Sequence, residues 1–391
     1  MNAYRLSTDF VDLGKHLLNV KTGDLYEVDE RCRKIIEQLH KGIFLESSVR
    51  NVRFMLDEGI LVYPEENNSR DKFHLQWHLL NKCNLRCKHC YDYKNKVSPL
   101  TFEQMIRVVD DYVLFIKKLG MDGEISLTGG EPMIFDRLTE LVEYIKSRDV
   151  FIATYILTNG TIPFSNQHIK LFKDNDIGIQ ISLDGTKTTN DKIRGKGVYE
   201  RCLSNLSLLI KNKIRASVHH VIMKKNIDDV PFFISAMDKV GVKRINFSSL
   251  VPIGPGAKEQ SISPEESKRI TEWMIEFQKD VKVSIVGQRP TWALVGSEGF
   301  CPVGYKTLTL YADGKFMPCR RLPIIIGDAR TDTFFKVWFT SEFLKKMRER
   351  EKYVDVCGIC SKASECGGCR AIANAVYGDP FARDPSCWLV K

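Results

Sequence analysis

Residues 74–252 alternate between strand-like and helix-like segments, and this alternation constrains the fold more than any other feature. The strand-like runs read HLQWHLL, EISLTGG, IATYILTNG, IGIQISLDG, IRASVHHVIM and RINFSSLVP. Helical spacing of apolar residues falls at 101–119, 138–147, 166–174, 199–212 and 227–240. The pattern predicts an α/β fold in which helices cover a parallel sheet, and six repeats suit an open or partial (β/α)6 barrel.

Glycine and polar residues stand where the predicted strands end: Gly129, Gly130, Asn159 and Asp184. In folds of this kind, ligands bind at the carboxyl ends of the parallel strands. We therefore expect a ligand site at this edge of the sheet.

The flanking segments predict two further domains. Residues 14–64 indicate a small αβ unit: a hairpin with its turn at 21–24, two helices and a short last strand. The polar stretch EENNSRDKF at 65–73 is typical of a linker. After about residue 290 the pattern breaks into turns, glycine and cysteine, so we expect little apolar core and a need for metal. The predicted domains are 1–73, 74–290 and 291–391.

Ten of the 12 cysteines fall into two groups. Three lie in NKCNLRCKHCYDY at 81–93, and seven lie between 301 and 387. Disulfide frameworks belong to small secreted chains, and structural zinc wants four ligands, so the group of three favours an iron–sulfur cluster with one iron left open. For the group of seven, a zinc ribbon built from CGIC and CGGC is an alternative that leaves three cysteines unexplained. Cys32 and Cys202 stand alone and are expected to be small buried hydrophobes.

Composition excludes several function classes. Hydrophobic residues make up 43% of the chain, and no apolar run approaches the length of a membrane span, so we expect a cytoplasmic protein without a membrane partner. The net charge is +9, but the basic residues are spread out and interleaved with acidic ones. We expect no nucleic acid partner.

The C-x3-C-x2-C spacing of Cys83, Cys87 and Cys90 resembles the signature of the radical S-adenosylmethionine (SAM) enzymes. The segments LTGGEP at 127–132 and QISLDG at 180–185 end the second and the fourth predicted strands, and LTGGEP matches the GGE element of that family. The resemblance implies that the three cysteines hold one [4Fe–4S] cluster and that SAM chelates its fourth iron. It also implies SAM-binding roles for His89, Gly129, Gly130, Glu131, Ser182, Asp184 and Arg194.

The later cysteines resemble the seven-cysteine SPASM domain, which binds two auxiliary iron–sulfur clusters. The resemblance assigns the second auxiliary cluster to Cys357, Cys360, Cys366 and Cys387. It leaves Cys301, Cys319 and Cys369 for the first auxiliary cluster. Fully ligated members have another cysteine shortly after the first, which CPVGYKTLTLY lacks. An open iron, a non-cysteine ligand or a smaller core is therefore expected there.

The N-terminal unit resembles the winged-helix-like PqqD domain, which recognises peptides, although a cap with no binding role is an alternative. Together the resemblances imply an enzyme that removes hydrogen from a precursor peptide with a leader segment and installs a thioether or carbon–carbon crosslink. Flavodoxin or ferredoxin would donate the electron. The alternatives are a tetrapyrrole-modifying or sulfatase-activating enzyme, because GGCRAIANAVYGDPFARDPSC resembles haem-pathway members, and a zinc-binding regulatory protein.

Overall fold

The structure is a computed structural model that describes residues 5–7, 9–19, 24–40, 50–62, 71–92, 96–296, 301–363 and 365–389. The chain forms two compact units. The first comprises Met1–Phe73, Val108–Gly123 and Arg148–Ile152. The second comprises His74–Arg107, Glu124–Ser147 and Ala153–Lys391.

Small antiparallel sheets and two helices build the N-terminal part of the first unit. The elements are β1 (Arg5–Leu6), β2 (Phe10–Asp12), β3 (His16–Asn19), β4 (Leu25–Glu27), α1 (Glu30–His40), α2 (Arg50–Asp57) and β5 (Leu61–Val62). Strand β1 pairs with β5, and β2, β3 and β4 form a three-stranded sheet in that order. Apolar side chains from both helices, including Ile36, Val52 and Met55, are buried in a common core with Leu17 and Leu61.

The predicted order of hairpin, helix, helix and strand is confirmed, and β1 and β2 add two strands that the sequence did not indicate. The sequence indicated that KHLLNV or its partner strand offers an unpaired edge. The first choice is wrong, because β3 lies in the middle of its sheet, between β2 and β4. Strand β4 is the edge on that side. Of the turn predicted at 21–24, residues 21–23 lie outside the described residues.

A ten-stranded sheet forms the frame of the second unit. Its strands are β6 (Lys72–His78), β7 (Asp122–Thr128), β8 (Ile152–Thr158), β9 (Gly178–Ser182), β10 (Ala216–Ile222), β11 (Arg244–Ser249), β12 (Ser284–Val286), β13 (Thr307–Leu310), β14 (Lys315–Met317) and β15 (Gly327–Asp328). The strand order is β12-β11-β10-β9-β8-β7-β6-β13-β14-β15. Strands β8 to β12 run parallel, and β13 runs parallel to β6. The predicted parallel sheet is confirmed, and all six predicted strands lie next to one another in it.

Helices follow the strands as the sequence pattern predicts. They are α3 (Phe102–Leu119), α4 (Leu138–Lys146), α5 (Asn166–Asp174), α6 (Lys187–Arg194), α7 (Val198–Lys211), α8 (Val230–Val240), α9 (Pro264–Phe277), α10 (Arg289–Ala293), α11 (Phe334–Thr340), α12 (Glu342–Arg348) and α13 (Arg370–Tyr377). The sequence pattern missed the short helix α6, which ends at Arg194. Within the described residues, no helix combines the length and the apolar character that crossing a membrane requires.

The expectation that the chain beyond residue 290 buries little apolar core is wrong. Strands β13 to β15 extend the main sheet, and Leu308, Leu310, Phe316 and Phe334 are completely buried. Phe316 and Phe334 pack edge to face with ring centroids 4.8 Å apart. The strand TLTL has only four residues between turns, which is too short for a periodic signal in the sequence.

Candidate functional site

The loop with Cys83, Cys87 and Cys90 begins directly after β6, at the carboxyl end of that strand. Backbone hydrogen bonds fix the start of the loop to the end of β7. The Leu79 N–H donates to the Thr128 carbonyl at 2.9 Å, and the Gly130 N–H donates to the Leu80 carbonyl at 2.7 Å. The predicted edge of the sheet therefore presents the three thiols.

Gly129 and Gly130 touch the backbone of this loop. A Cβ on Gly129 would lie 2.3 Å from the Leu80 carbonyl oxygen, and one on Gly130 would lie 2.2 Å from the Lys82 carbonyl oxygen. Gly129 also has a φ of +139°, which side chains rarely allow. The close approach that the glycines permit is thus to the loop itself, and their predicted contact with SAM stays a prediction.

Glu131 is completely buried, and donors of the chain engage both of its carboxylate oxygens. Oε1 accepts from the Thr158 hydroxyl at 2.6 Å and the Met133 N–H at 3.1 Å, and Oε2 accepts from the Asn159 N–H at 2.7 Å. Burial raises the pKa of Glu131. The carboxylate therefore ties the end of β7 to the end of β8, and its predicted role toward the SAM amine stays a prediction.

Asn159 reaches from the end of β8 to the cluster loop. Its Nδ2 donates to the Asn84 Oδ1 at 2.8 Å and lies 3.8 Å from the Cys83 sulfur. Its Oδ1 accepts from the Thr161 hydroxyl at 2.7 Å, and Asn84 in turn donates to that hydroxyl at 2.9 Å. The sequence predicted that Asn159 lies at the end of a strand, but it did not predict that Asn159 positions the cluster loop.

Asp184, Arg194 and His89 form one buried charged group. The Arg194 Nε donates to the Asp184 carboxylate at 2.6 Å, and His89 Nε2 lies 3.2 Å from the same oxygen. The other Asp184 oxygen accepts the Val221 N–H at 2.8 Å. Burial would raise the pKa of Asp184, but the charges of Arg194 and His89 outweigh it and hold the pKa well below its usual value.

Arg194 also faces the cluster loop, because its Nη1 lies 4.0 Å from the Cys87 sulfur. Ser182 is half-buried at the end of β9, opposite His219 of β10. The structure thus brings the predicted residues Cys87, His89, Asp184 and Arg194 together.

A polar network behind the loop was missed by the sequence. Asn81 donates to the Tyr311 hydroxyl at 2.6 Å and to the Asp92 carboxylate at 3.2 Å, and Tyr311 donates to the same carboxylate. The His78 ring lies against Tyr311, with 5.2 Å between ring centroids. Tyr311 directly follows β13, so this network holds the loop to the C-terminal hairpin across 230 residues of sequence.

Four of the proposed cluster thiols share a local hydrogen bond. The backbone N–H two residues later points at the sulfur of Cys83, Cys90, Cys360 and Cys366, at 3.3–3.4 Å. A neutral thiol is a weak acceptor, and a thiolate gains more from such donors. Burial raises the pKa of the Cys87 thiol to about 11, so a metal that displaces the proton would supply the missing stabilisation. This donor set fits cluster ligation.

Cys357, Cys360, Cys366 and Cys387 line one cavity of about 260 Å³. Burial raises the pKa of Cys366 to about 12, and the Arg370 guanidinium lies 3.8 Å from the Cys357 sulfur. The cavity and its four thiols fit the cluster that the resemblance assigned to these cysteines. In the described residues, no three or more Cys, His, Asp or Glu side chains converge on a position for a single ion.

Cys301, Cys319 and Cys369 act electrostatically on a different group, the half-buried side chain of Arg321. Burial would lower the pKa of Arg321, but the negative charges of the three cysteines as thiolates outweigh it and raise that pKa. Arg321 Nη1 donates to the Ser249 carbonyl at 3.0 Å, at the end of β11. The sequence did not indicate this cation, and the arginine doublet after Cys319 was its available signal.

Comparisons with known proteins agree with this arrangement. Residues 77–237 match the model of the radical SAM superfamily, and residues 301–362 match SPASM, an iron–sulfur cluster-binding domain. The second match favours clusters over the zinc ribbon.

Two relatives, and two solved structures of a third protein, illustrate the range of similar proteins. The AdoMet-dependent heme synthase of Methanosarcina barkeri is 27% identical, over 80% of this chain and 95% of its own. The mycofactocin maturase MftC of Mycolicibacterium smegmatis is 27% identical, over 80% and 82%. SuiB of Streptococcus suis, bound to S-adenosylmethionine, has the same fold with a TM-score of 0.69 at 16% identity, over 98% and 100%. SuiB bound to the precursor peptide SuiA matches with a TM-score of 0.63 at 15% identity, over 99% and 100%.

Proposed function

We propose that this chain, a radical SAM enzyme with a SPASM iron–sulfur domain, modifies a ribosomally made precursor peptide. SAM and [4Fe–4S] chemistry follow from the two matched domains. Two auxiliary clusters, the exact ligand sets and the domain limits 1–73, 74–290 and 291–391 are part of the proposal. The bound cofactors would supply hydrogen-atom abstraction from an unactivated carbon, which acids and bases cannot perform at neutral pH.

The chain's own residues prepare that chemistry. Cys83, Cys87 and Cys90 would hold the cluster at the carboxyl end of β6, while Glu131 keeps the neighbouring strand ends in register. The Arg194 Nε donates to the Asp184 carboxylate, and the Arg194 Nη1 faces the Cys87 sulfur. Its remaining donors would bind the SAM carboxylate, because a guanidinium pairs with a carboxylate in a planar fork.

The observation that supports a peptide substrate is the edge strand β4. In the described residues its one partner strand is β3, and all three of its residues are exposed. Leu25 and Tyr26 are apolar side chains left 56% and 43% exposed there. A leader peptide would add to this edge as a further strand, through main-chain hydrogen bonds and side-chain contacts. The peptide-bound SuiB structure and the maturase MftC are in accord with this substrate class.

The proposal is tested by co-expressing the chain anaerobically with a peptide encoded beside its gene. Mass spectrometry should show loss of two hydrogens in the peptide, as a thioether or carbon–carbon crosslink requires. An unchanged peptide mass with active SAM cleavage would count against that precursor.

The recognition step has its own test at Leu25. In the β3–β4 pairing, the Asn19 N–H donates to the Asp24 carbonyl and the Val28 N–H donates to the Lys15 carbonyl. Backbone groups of an antiparallel strand point alternately toward and away from the partner strand, so the Leu25 N–H faces the free edge. Leu25→Pro removes that donor and should weaken precursor binding about tenfold. Leu25→Ala keeps the donor and should bind more tightly than the proline variant. Equal binding by both variants would contradict strand addition at β4.

Tetrapyrrole modification is the second candidate, and the heme synthase relative, of which 95% is matched, favours it. The discriminating experiment is an anaerobic absorbance titration with coproporphyrin III. A micromolar complex, together with no binding of the precursor, would favour the tetrapyrrole.

A further inference from the structure

One face of the main sheet carries half-buried polar side chains on three neighbouring strands. Ser182 of β9, His219 of β10 and Asn246 of β11 lie side by side in register. On the opposite face of the same strands, Ile181 and Ile245 are completely buried. Parallel strands are usually apolar on both faces, so a polar row indicates a face that meets a polar ligand.

His219 is held in place on this face. Its Nε2 is hydrogen-bonded to the Ser248 hydroxyl at 3.1 Å. Burial and then the positive charge of Arg320 lower the pKa of His219 well below its usual value. The ring is therefore neutral and carries no charge that would compete with Arg320 for an anion.

A tight turn places Arg320 near the end of β11. The Leu322 N–H donates to the Cys319 carbonyl at 2.9 Å, so Arg320 and Arg321 occupy the corner of the turn. Arg321 donates to the Ser249 carbonyl at 3.0 Å, which fixes the turn to the end of β11. Ser249 follows Ser248, the partner of His219, so the turn and the polar row meet at one strand end.

Arg320 differs from Arg194 and Arg321 in the negative groups that lie near it. Arg194 is paired with Asp184, and Arg321 faces three thiols. Arg320 has no ion pair with an acidic side chain among the residues that the structure describes. It is half-buried, and its field acts on His219 and on Tyr91, the residue that follows Cys90. Arg320 is therefore a cation without an acidic partner in the described part of the chain, on a turn that is fixed to the end of β11.

We propose that Arg320, with His219 and Ser248 beside it, binds a carboxylate of the substrate. This inference rests on the proposed function and names the chemistry of its substrate: an acidic residue of the precursor peptide near the carbon that loses hydrogen. A guanidinium suits a carboxylate because two of its N–H groups match the two oxygens. The same chemistry could come from the propionates of a tetrapyrrole, and the experiment separates the two sources.

The test uses reconstituted holoenzyme with SAM under anaerobic conditions and two pairs of probes. The peptide pair is acetyl-Gly-Glu-Gly-amide and its Gln counterpart, followed by saturation-transfer NMR. The porphyrin pair is coproporphyrin III and its tetramethyl ester, followed by absorbance. The native enzyme should bind the acid of a pair about ten- to a hundredfold more tightly than its neutral counterpart.

Three variants assign this preference to the site. Arg320→Gln should abolish it, and Arg320→Lys should keep part of it. Arg269→Gln, an exposed arginine on α9, should behave as the native enzyme. Arg320 follows a proposed cluster ligand, so iron content is measured for each variant. If Arg320→Gln loses iron, Ser248→Ala serves in its place and should reduce the preference several-fold.

The outcomes separate the two proposals. A preference for the Glu peptide supports both. A preference for the porphyrin acid alone supports the carboxylate site and contradicts the peptide substrate. No preference in either pair, or a preference that survives Arg320→Gln with iron intact, overturns the carboxylate site, while precursor binding at β4 is judged separately.

Discussion

At the scale of single residues, the buried carboxylates Glu131 and Asp184 are held by donors from the chain itself. Each binds backbone N–H groups of a neighbouring strand end, and Asp184 adds an arginine. Such groups are costly to bury without partners, so their positions are strongly determined. The resemblance to the radical SAM enzymes assigned both of them to the SAM site, and this assignment stays a prediction. The sequence could not show that their partners are the chain's own donors, because those partners come from other strands.

Glu131→Gln should lower the free energy of unfolding by about 1–3 kcal/mol. Both carboxylate oxygens accept hydrogen bonds, and the amide NH₂ of glutamine would replace one of these acceptors with a donor. Denaturant titration followed by circular dichroism measures the change. Glu272→Gln, on the exposed surface of α9, is the control and should have little effect. A variant of native stability that no longer binds SAM would instead assign Glu131 to the cofactor.

His220 should make the protein sensitive to acid. Its ring is completely buried among Phe233 and Phe247, both of its nitrogens lack a hydrogen-bond partner in the described structure, and burial lowers its pKa to about 4. The unfolded chain, with an ordinary pKa near 6.5, binds more protons between these values, so stability falls as the pH falls from about 6.5 to about 4.

His220→Phe should therefore remove about 2 kcal/mol of the stability lost between pH 7 and pH 5. Urea midpoints of the native protein and the variant at both pH values measure this difference. Parallel losses in the two proteins would show that His220 does not titrate in this range.

At the scale of elements, the segment Gly129–Gly130 and the cluster loop form one backbone assembly. The sequence predicted the six strands and five helices to within a few residues, because each has a clear apolar period. It did not predict why two glycines stand after β7. Their close neighbour, the loop at Leu80–Lys82, precedes them by almost fifty residues, and a sequence does not show which backbones meet.

Gly130→Ala should displace the cluster loop, because the added Cβ would lie 2.2 Å from the Lys82 carbonyl oxygen. We expect loss of the radical SAM cluster, seen as about four fewer iron atoms per chain. Gly241→Ala, with open space around its Cβ, adds only backbone strain and should keep its iron. Full iron content and SAM cleavage in Gly130→Ala would contradict this role of the segment.

At the scale of the whole molecule, the proposed cluster ligands divide among three groups of cysteines. The sequence separated the first three cysteines from the last seven by their spacing, and the SPASM resemblance alone divided those seven into two sets. It could not show the Arg321 cation within the first auxiliary group or the extension of the sheet by β13 to β15, which depend on packing between distant segments.

Replacing Cys83, Cys87 and Cys90 together with Ala should abolish 5′-deoxyadenosine formation from SAM with dithionite. Iron should fall only by about the four atoms of one cluster, because the auxiliary ligands lie elsewhere. Cys32→Ala, half-buried on α1, should keep both iron and activity. Deoxyadenosine produced by the triple variant would show that the cluster assignment is wrong.

The pairing of β13 with β6 has a consequence for synthesis on the ribosome. Thr307 hydrogen-bonds His74 across 233 residues, so β6 has no neighbour on that side until most of the chain has emerged. Chains are made at about 5–20 residues per second, which leaves β6 with an open edge for roughly ten seconds or longer. An open strand edge is a template for aggregation, and contacts this distant in sequence form slowly. Nascent chains that stop before residue 307 should therefore depend on chaperones to stay unaggregated, whereas the completed chain covers that edge with its own last strands.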